Sequence, residues 1–187
     1  MKPDLSTINI MGVINTTPDS FSDGGLFSET KSAVEHARKL IDDGADILDI
    51  GGESTRPGAA IVSVNEEIRR TIPVIEAIRQ FSDIPVSIDT SKAQVMLAAA
   101  EAGADMINDV WALRREGALE AAASTGLLVC LMHMQGSPES MQNDPKYENV
   151  VTEVLHFLRE RLTKAEQSGI SRQNLLVDPG FGFGKTL

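Results

Sequence analysis

A single cysteine among 187 residues excludes a disulfide framework and fits a reducing compartment. With only three histidines, widely scattered, it also excludes a zinc site of the Cys/His kind. Aromatic residues are scarce at 4%, so the core has to be built from Ile, Leu, Val, Ala and Met. No stretch approaches the roughly 18 apolar residues of a membrane span. Met1-Lys2-Pro3-Asp4 leads into neither an apolar run nor a small-residue cleavage site, and the expectation is a cytoplasmic protein. Basic residues are the minority. The net charge of −10 argues against a nucleic-acid partner, which wants a basic face. A small anionic substrate is still allowed, held by a cation, an arginine or backbone N–H groups.

What is present is a repeat. Ile8–Ile14, Asp46–Ile50, Pro85–Ile88, Met106–Ile107, Leu127–Met132 and Leu175–Val177 read as short buried strands. Helical patterns alternate with them over Thr30–Asp42, Asn65–Gln80, Lys92–Ala102, Gly117–Ser124 and Lys146–Gln167. Asp43-Gly44-Ala45-Asp46-Ile47-Leu48-Asp49-Ile50 is echoed by Ala102-Gly103-Ala104-Asp105-Met106-Ile107-Asn108-Asp109-Val110. In each, a glycine follows a helix and a strand runs into a side-chain amide or carboxylate. Two α/β architectures accommodate such units, an open doubly wound sheet and a closed (β/α)8 TIM-type barrel. The barrel is the better fit. The first strand-to-helix turn lacks G-x-G-x-x-G, and polar residues end nearly every strand instead of clustering at one switch point. Residues 1–187 then form a single barrel domain that is incomplete, with about five βα units plus a sixth strand where a full barrel has eight.

In a barrel the C-terminal strand ends form the working face. In order, those ends are Asn15, Asp49, Asp89, Asn108, His133 and Asp178. Singly, each has an ordinary explanation: Asp89 as a helix cap, Asp178-Pro179-Gly180 as a turn, Asn108 as a local backbone bonder. Six on one rim is more than capping needs. Two strand-to-helix loops are long and rich in Gly, Ser and Thr, residues 15–28 and 51–63, as lids over a substrate are. Gly180-Phe181-Gly182-Phe183-Gly184-Lys185-Thr186 is not a phosphate-binding loop, since the motif needs glycine where Pro179 stands. Cys130 reads as core, His36 and His156 as surface, and Trp111 as a neighbour of the pocket.

Four segments, in order along the whole chain, resemble the bacterial dihydropteroate synthases. They are Asn15-Thr16-Thr17-Pro18-Asp19-Ser20-Phe21-Ser22-Asp23-Gly24-Gly25, Gly52-Glu53-Ser54-Thr55-Arg56-Pro57-Gly58, Ser87-Ile88-Asp89-Thr90 and Asp178-Pro179-Gly180-Phe181-Gly182-Phe183-Gly184-Lys185. The resemblance implies a folate-pathway transferase that joins 6-hydroxymethyl-7,8-dihydropterin diphosphate to 4-aminobenzoate, giving 7,8-dihydropteroate and diphosphate. It places Asp89, Asn108 and Asp178 against the pterin, with Val110, Met132 and Phe183 as further substrate contacts. Asn15 matches a magnesium-associated position, making Mg²⁺ the implied cofactor and Asp89, Asp178 and Asn15 the implied catalytic set. Thr55 matches a diphosphate contact, and Phe21, Arg56 and Pro57 match lid residues of the aminobenzoate site. Thr16 departs from the aliphatic residue common there. A pterin-contacting lysine and a Ser-Arg-Lys/Arg-x-His segment of the family's last two βα units have no counterpart in this sequence. Homodimers of the family use late helices, so a homodimer is expected of a full-length protein. The alternatives are a pterin-binding methyltransferase acting on a methylated folate, and a non-catalytic pterin-binding fragment.

Overall fold

The computed structural model describes residues 3–16, 25–54, 59–138, 140–142 and 144–186, without the side chains of 25–28. Its strands are β1 Met11–Asn15, β2 Ile47–Gly51, β3 Val86–Asp89, β4 Met106–Asp109, β5 Leu128–Met132 and β6 Leu175–Asp178. Between them lie α1 Gly25–Asp42, α2 Val64–Arg79, α3 Ala93–Glu101, α4 Ala118–Thr125 and α5 Val150–Gln167, with a short 3-10 turn at Arg172–Asn174 before β6. The six strands form one parallel sheet in the order β1-β2-β3-β4-β5-β6. A doubly wound sheet reverses its order at a switch point; this one never does. Consecutive helices α1 to α4 also pack each against the next, so they share one face of the sheet. That is the curvature of a barrel wall.

Side chains alternate along each strand. Leu48, Ile50, Val86, Ile88, Ile107, Val129 and Leu131 face the helices and join Val74, Ile75 and Ile78 of α2 and Val95 and Met96 of α3 in a continuous core. All of these are fully or almost fully buried. Each such Ile, Leu or Val contributes about 1.5–3 kcal/mol on leaving water. The other parity points to the inside of the wall, where Asn15, Asp49, Asp89, Asn108, Cys130 and Asp178 lie.

The observed strands β1, β3, β4 and β6 run one or two residues past the ends that hydropathy suggests, because their last residue is polar yet still paired, and β2 runs one residue further to Gly51. Helix α1 begins at Gly25, five residues before the expected Thr30. Helix α5 begins at Val150 and not at Lys146. A reciprocal cap sets that start: Thr152 N donates to Asn149 Oδ1 at 3.0 Å, and Asn149 N donates to Glu153 Oε1 at 2.9 Å. Lys146-Tyr147-Glu148 have helix-compatible composition but lie ahead of this cap.

Candidate pterin site

Sheet register aligns residues that are far apart in sequence. Asn15 stands opposite Gly51, Gly51 opposite Asp89, Asp89 opposite Asn108, and Asn108 opposite Cys130. Two residues further along β5 than Cys130, Met132 stands opposite Asp178 with the next inward-facing side chains. Gly51 keeps the row tight. A Cβ there would lie 3.5 Å from Asp89 Oδ2 and 3.9 Å from Asn15 Oδ1. Asn15, Asp89, Asn108 and Asp178, expected at the rim, are thus brought to one inner face. Thr55, Phe21, Arg56 and Pro57 lie outside the described residues.

The ordinary explanations fare differently. Helix α3 has Lys92 at its N-cap with no side-chain cap bond, so Asp89 is not spent on capping. Its carboxylate accepts no hydrogen bond from any described residue. Asp178 does hold a turn, accepting from Gly180 N at 2.7 Å through Oδ1. Asn108 donates from Nδ2 to Asp49 Oδ2 at 3.0 Å. His133 is buried and packs edge-on against Phe157, with ring centroids 4.9 Å apart. Burial, followed by the charge of Lys185, lowers its pKa to about 4, so the neutral ring accepts at Nδ1 from Lys185 Nζ at 2.9 Å. Lys185 also donates to the carbonyls of Gly180 and Phe183. With its ammonium consumed by the chain itself, the Gly180–Gly184 turn is no P-loop.

Asp49 carries more than a strand-end reading gives it. It sits inside the wall, 5% exposed, where desolvation pushes its pKa up and Ser87 and Asn108 only partly offset it. Ser87 Oγ stands beside it across the strand pair without reaching hydrogen-bond geometry. Asp49 Oδ1 and Ser87 Oγ are both buried and without a partner among the described residues. Asp89 is shifted further. Burial raises its pKa well above the ordinary carboxylate value, and Asp49, Asp109, Glu67 and Glu53 add to the rise. The signal for Asp49 was in the sequence, as a carboxylate inside the apolar run Ile47-Leu48-Asp49-Ile50. A buried charge needs a partner or a ligand. Cys130 also faces inward, and burial followed by Asp178 and Asp49 takes its thiol up to about 12, so it stays protonated.

Beside this polar floor stands an apolar wall. Val110, Met132, Met134 and Met141 form a second buried cluster, with Trp111 and Phe183 packed on it. The three expected apolar contacts, Val110, Met132 and Phe183, are therefore one surface. Its β4–α4 side is held under strain. Ala112 and Leu113 adopt φ of 51° and 56°, which costs a non-glycine residue about 1–2 kcal/mol each. Fully buried Asp109 accepts from Trp111 N and Leu113 N at 2.8 and 2.7 Å. Arg161 of α5 donates to the carbonyls of Ala112 and Leu113 at 2.7 and 2.9 Å. Those four bonds fix where Val110 and Trp111 stand.

A polar row whose Asp49 Oδ1 and Asp89 carboxylates meet no donor among the described residues, with valine, methionine and aromatic groups beside it, suits a heterocycle rich in N–H donors. The family model described as pterin binding enzyme matches residues 11–187. Dihydropteroate synthase of Escherichia coli K12 is 56% identical over 184 residues, 98% of this chain and 65% of the relative. The Yersinia pestis dihydropteroate synthase in complex with a sulfonamide drug superposes with a TM-score of 0.92 at 52% identity, covering 98% of this chain and 66% of that one. The Xanthomonas albilineans enzyme in complex with 7,8-dihydropteroate gives 0.82 at 50% identity, covering 95% and 62%. Six sequential parallel strands and their helices thus correspond to part of a (β/α)8 barrel, and the chain spans about two-thirds of the length of these relatives. With a matching family model along nearly its whole length and relatives identical at every second residue, this chain belongs to the pterin-binding enzyme family.

Proposed function

We propose that the protein is a dihydropteroate synthase of folate biosynthesis, a transferase joining 6-hydroxymethyl-7,8-dihydropterin diphosphate to 4-aminobenzoate. One observation carries this reading: among the described residues neither Asp89 nor Asp49 Oδ1 finds a hydrogen-bond donor, and both are set beside Asn108 on the inner face. A pterin offers its 2-amino and N3–H groups as paired donors that a carboxylate accepts in bidentate fashion. Asp178 takes that edge, and Asp89, Asn108 and Asp49 take the remaining ring donors and acceptors. Val110, Met132 and Phe183 supply the apolar side. The aminobenzoate nitrogen bonds to the pterin methylene as the C–O bond to diphosphate breaks, and the nitrogen releases its extra proton to solvent. Positive charge on the methylene and ring in the transition state is stabilised by the fixed carboxylates of Asp89 and Asp178. Phe21, Arg56 and Pro57 would form the aminobenzoate site, which also admits sulfonamides as aminobenzoate mimics, and Thr55 would contact diphosphate.

Mg²⁺ fits Asn15. Asn15 is exposed at the strand end and its Oδ1 faces the Gly51–Asp89 line, a single oxygen donor for an ion that keeps most of its waters. Among the described residues no three His, Cys, Asp or Glu side chains converge, so the substrate phosphates would complete the shell. Asn15 would hold the ion, whose chemistry there would be charge neutralisation of the departing diphosphate. Asn15→Ala is expected to raise the Mg²⁺ concentration for half-maximal turnover; superimposable magnesium titrations of variant and parent count against it. No helix among the described residues is long and apolar enough to cross a membrane, which agrees with a cytoplasmic enzyme. A homodimer is proposed for the full-length protein.

The test is calorimetric titration with 6-hydroxymethyl-7,8-dihydropterin, followed by assay of condensation with 4-aminobenzoate. Ligand N–H donors favour ionised Asp89, and its pKa is raised in the free protein. Affinity should therefore climb as pH rises above the ordinary carboxylate value, with proton release seen as a dependence of the binding heat on buffer. Affinity that is flat with pH and a heat independent of buffer would remove Asp89 from the pterin site. A protein that binds the pterin yet forms no dihydropteroate and no diphosphate is a binding module.

A further inference from the structure

Lys92 occupies a place that ordinary helix chemistry does not explain. It stands at the N-cap of α3, makes no cap bond, and sets a positive charge against the positive end of the helix dipole. Yet it is 9% exposed. Two carboxylates account for it. Its ammonium donates to Glu53 Oε2 at 2.7 Å and, at shorter range, to Glu67 Oε2. Glu67, on α2, is 1% exposed and also accepts from Thr90 Oγ1. Glu53 bridges: its second oxygen, Oε1, accepts from Val62 N at 2.8 Å. One carboxylate therefore closes the neck of the β2–α2 loop, joining residue 53 to residue 62, and Lys92 ties that neck to a point three residues beyond Asp89.

We propose that Lys92 is a positioning residue that, through Glu53, sets the spacing between the pterin-holding strand end at Asp89 and Ser54 across the cleft. The pterin occupies the first side and its diphosphate arm lies toward the second, so the anchor governs how well one ligand spans the cleft. This rests on the reading of the site as a pterin diphosphate site. Two anions against one buried cation leave the cluster with net charge −1, and the hydrogen bonds from Thr90 and Val62 disperse it. The cleft above is lined by Glu53, Ser54, Glu67, Asp89, Thr90 and Trp111, so anchor and site are contiguous.

Three variants of the 187-residue chain test this: Lys92→Met, Lys92→Arg and Glu53→Gln. Lys92→Met strands Glu67 without a cation and is the one at risk of not folding; Glu53→Gln keeps the Lys92–Glu67 pair and cuts only the link to the loop. Amide exchange is read across residues 52–62. Affinities are read for 6-hydroxymethyl-7,8-dihydropterin and for its diphosphate. In Glu53→Gln, exchange at Val62 should accelerate and the diphosphate's advantage over the alcohol should shrink about tenfold, the worth of one charge-assisted hydrogen bond. Affinity for the alcohol should hold within about twofold, and Lys92→Arg, which keeps the charge, should retain most of the advantage. A folded Glu53→Gln with the parent's exchange, or with faster exchange but an undiminished diphosphate advantage, overturns the proposal. A parent that binds neither compound overturns the pterin reading instead; the exchange data then decide the anchor alone, standing with faster exchange and falling without it.

Discussion

Asp89→Asn should unfold at a higher temperature than the parent at pH 7 while binding 6-hydroxymethyl-7,8-dihydropterin at least ~10-fold more weakly. The two effects share a cause. Asp89 has no hydrogen-bond donor among the described residues, and burial together with Asp49, Asp109, Glu67 and Glu53 raises its pKa in the folded chain. A carboxyl group that holds its proton more tightly when folded stabilises the fold fully below its unfolded pKa. That contribution is lost as pH rises through the folded pKa, by up to about 1.4 kcal/mol per pH unit. Asparagine has nearly the same shape and never ionises, so the ligand-free fold is spared this loss. The ligand, by contrast, needs the charge. Hydrogen bonds to an ionised group contribute about 1.5–3 kcal/mol, against about 0.5–1.5 kcal/mol for neutral ones. Thermal unfolding at pH 4 and pH 7 with calorimetry of the pterin reads both effects. The stability gain should shrink toward pH 4, where the parent's carboxyl is protonated too. A variant less stable than the parent at pH 7, or one with undiminished pterin affinity, refutes this account of Asp89.

Gly180→Ala is expected to destabilise the chain by about 3 kcal/mol, within the roughly 2–5 kcal/mol that about 1–2 kcal/mol of backbone strain and 1–3 kcal/mol of overpacking give together. Gly180 has φ +67°, and a Cβ built there falls 2.0 Å from the carbonyl oxygen of His133. That carbonyl has little room to yield. His133 N donates to Asp178 O at 2.9 Å, locking the ends of β5 and β6 together, and Lys185 Nζ holds His133 O at 3.3 Å. Met132 Cγ, part of the apolar wall, would stand 3.3 Å away. For a chain of this size the melting temperature should fall by roughly 6–12 °C. Urea unfolding measures the free energy directly, and a loss below about 1 kcal/mol would show that the β5 and β6 ends shift cheaply. Because Asp178 caps Gly180 N, the same substitution should also weaken pterin binding.

Much of this molecule is legible before folding. Alternation of apolar strands with amphipathic helices marks the βα unit, because strand and helix differ in hydrophobic period. Parallel strands in series put their C-terminal ends on one face, so Asn15, Asp89, Asn108 and Asp178 can be named as rim residues from position alone. Helix α5 starts four residues later than composition suggests, since cap geometry at Asn149 outweighs the composition of the residues before it. Trp111, whose position after Asn108-Asp109-Val110 puts it next to the pocket, lines it.

The tertiary structure alone decided which charges are buried and who their partners are. Glu66 and Glu67 are adjacent and identical in type. Glu66 lies at the surface, paired with Arg69 and Arg70, while Glu67 is sealed against Thr90 and Lys92. No local pattern distinguishes them, because the difference is made by residues 23 and 25 positions away. Asp49 meets Asn108 across 59 residues for the same reason. The sequence by itself determined the period of the elements, their order and the polar character of the strand ends, all of which are set by neighbours along the chain. Sheet register and helix packing determined the orphan carboxylates, the strained turn under Val110 and the Lys92 anchor, because burial and pairing are properties of distance in space.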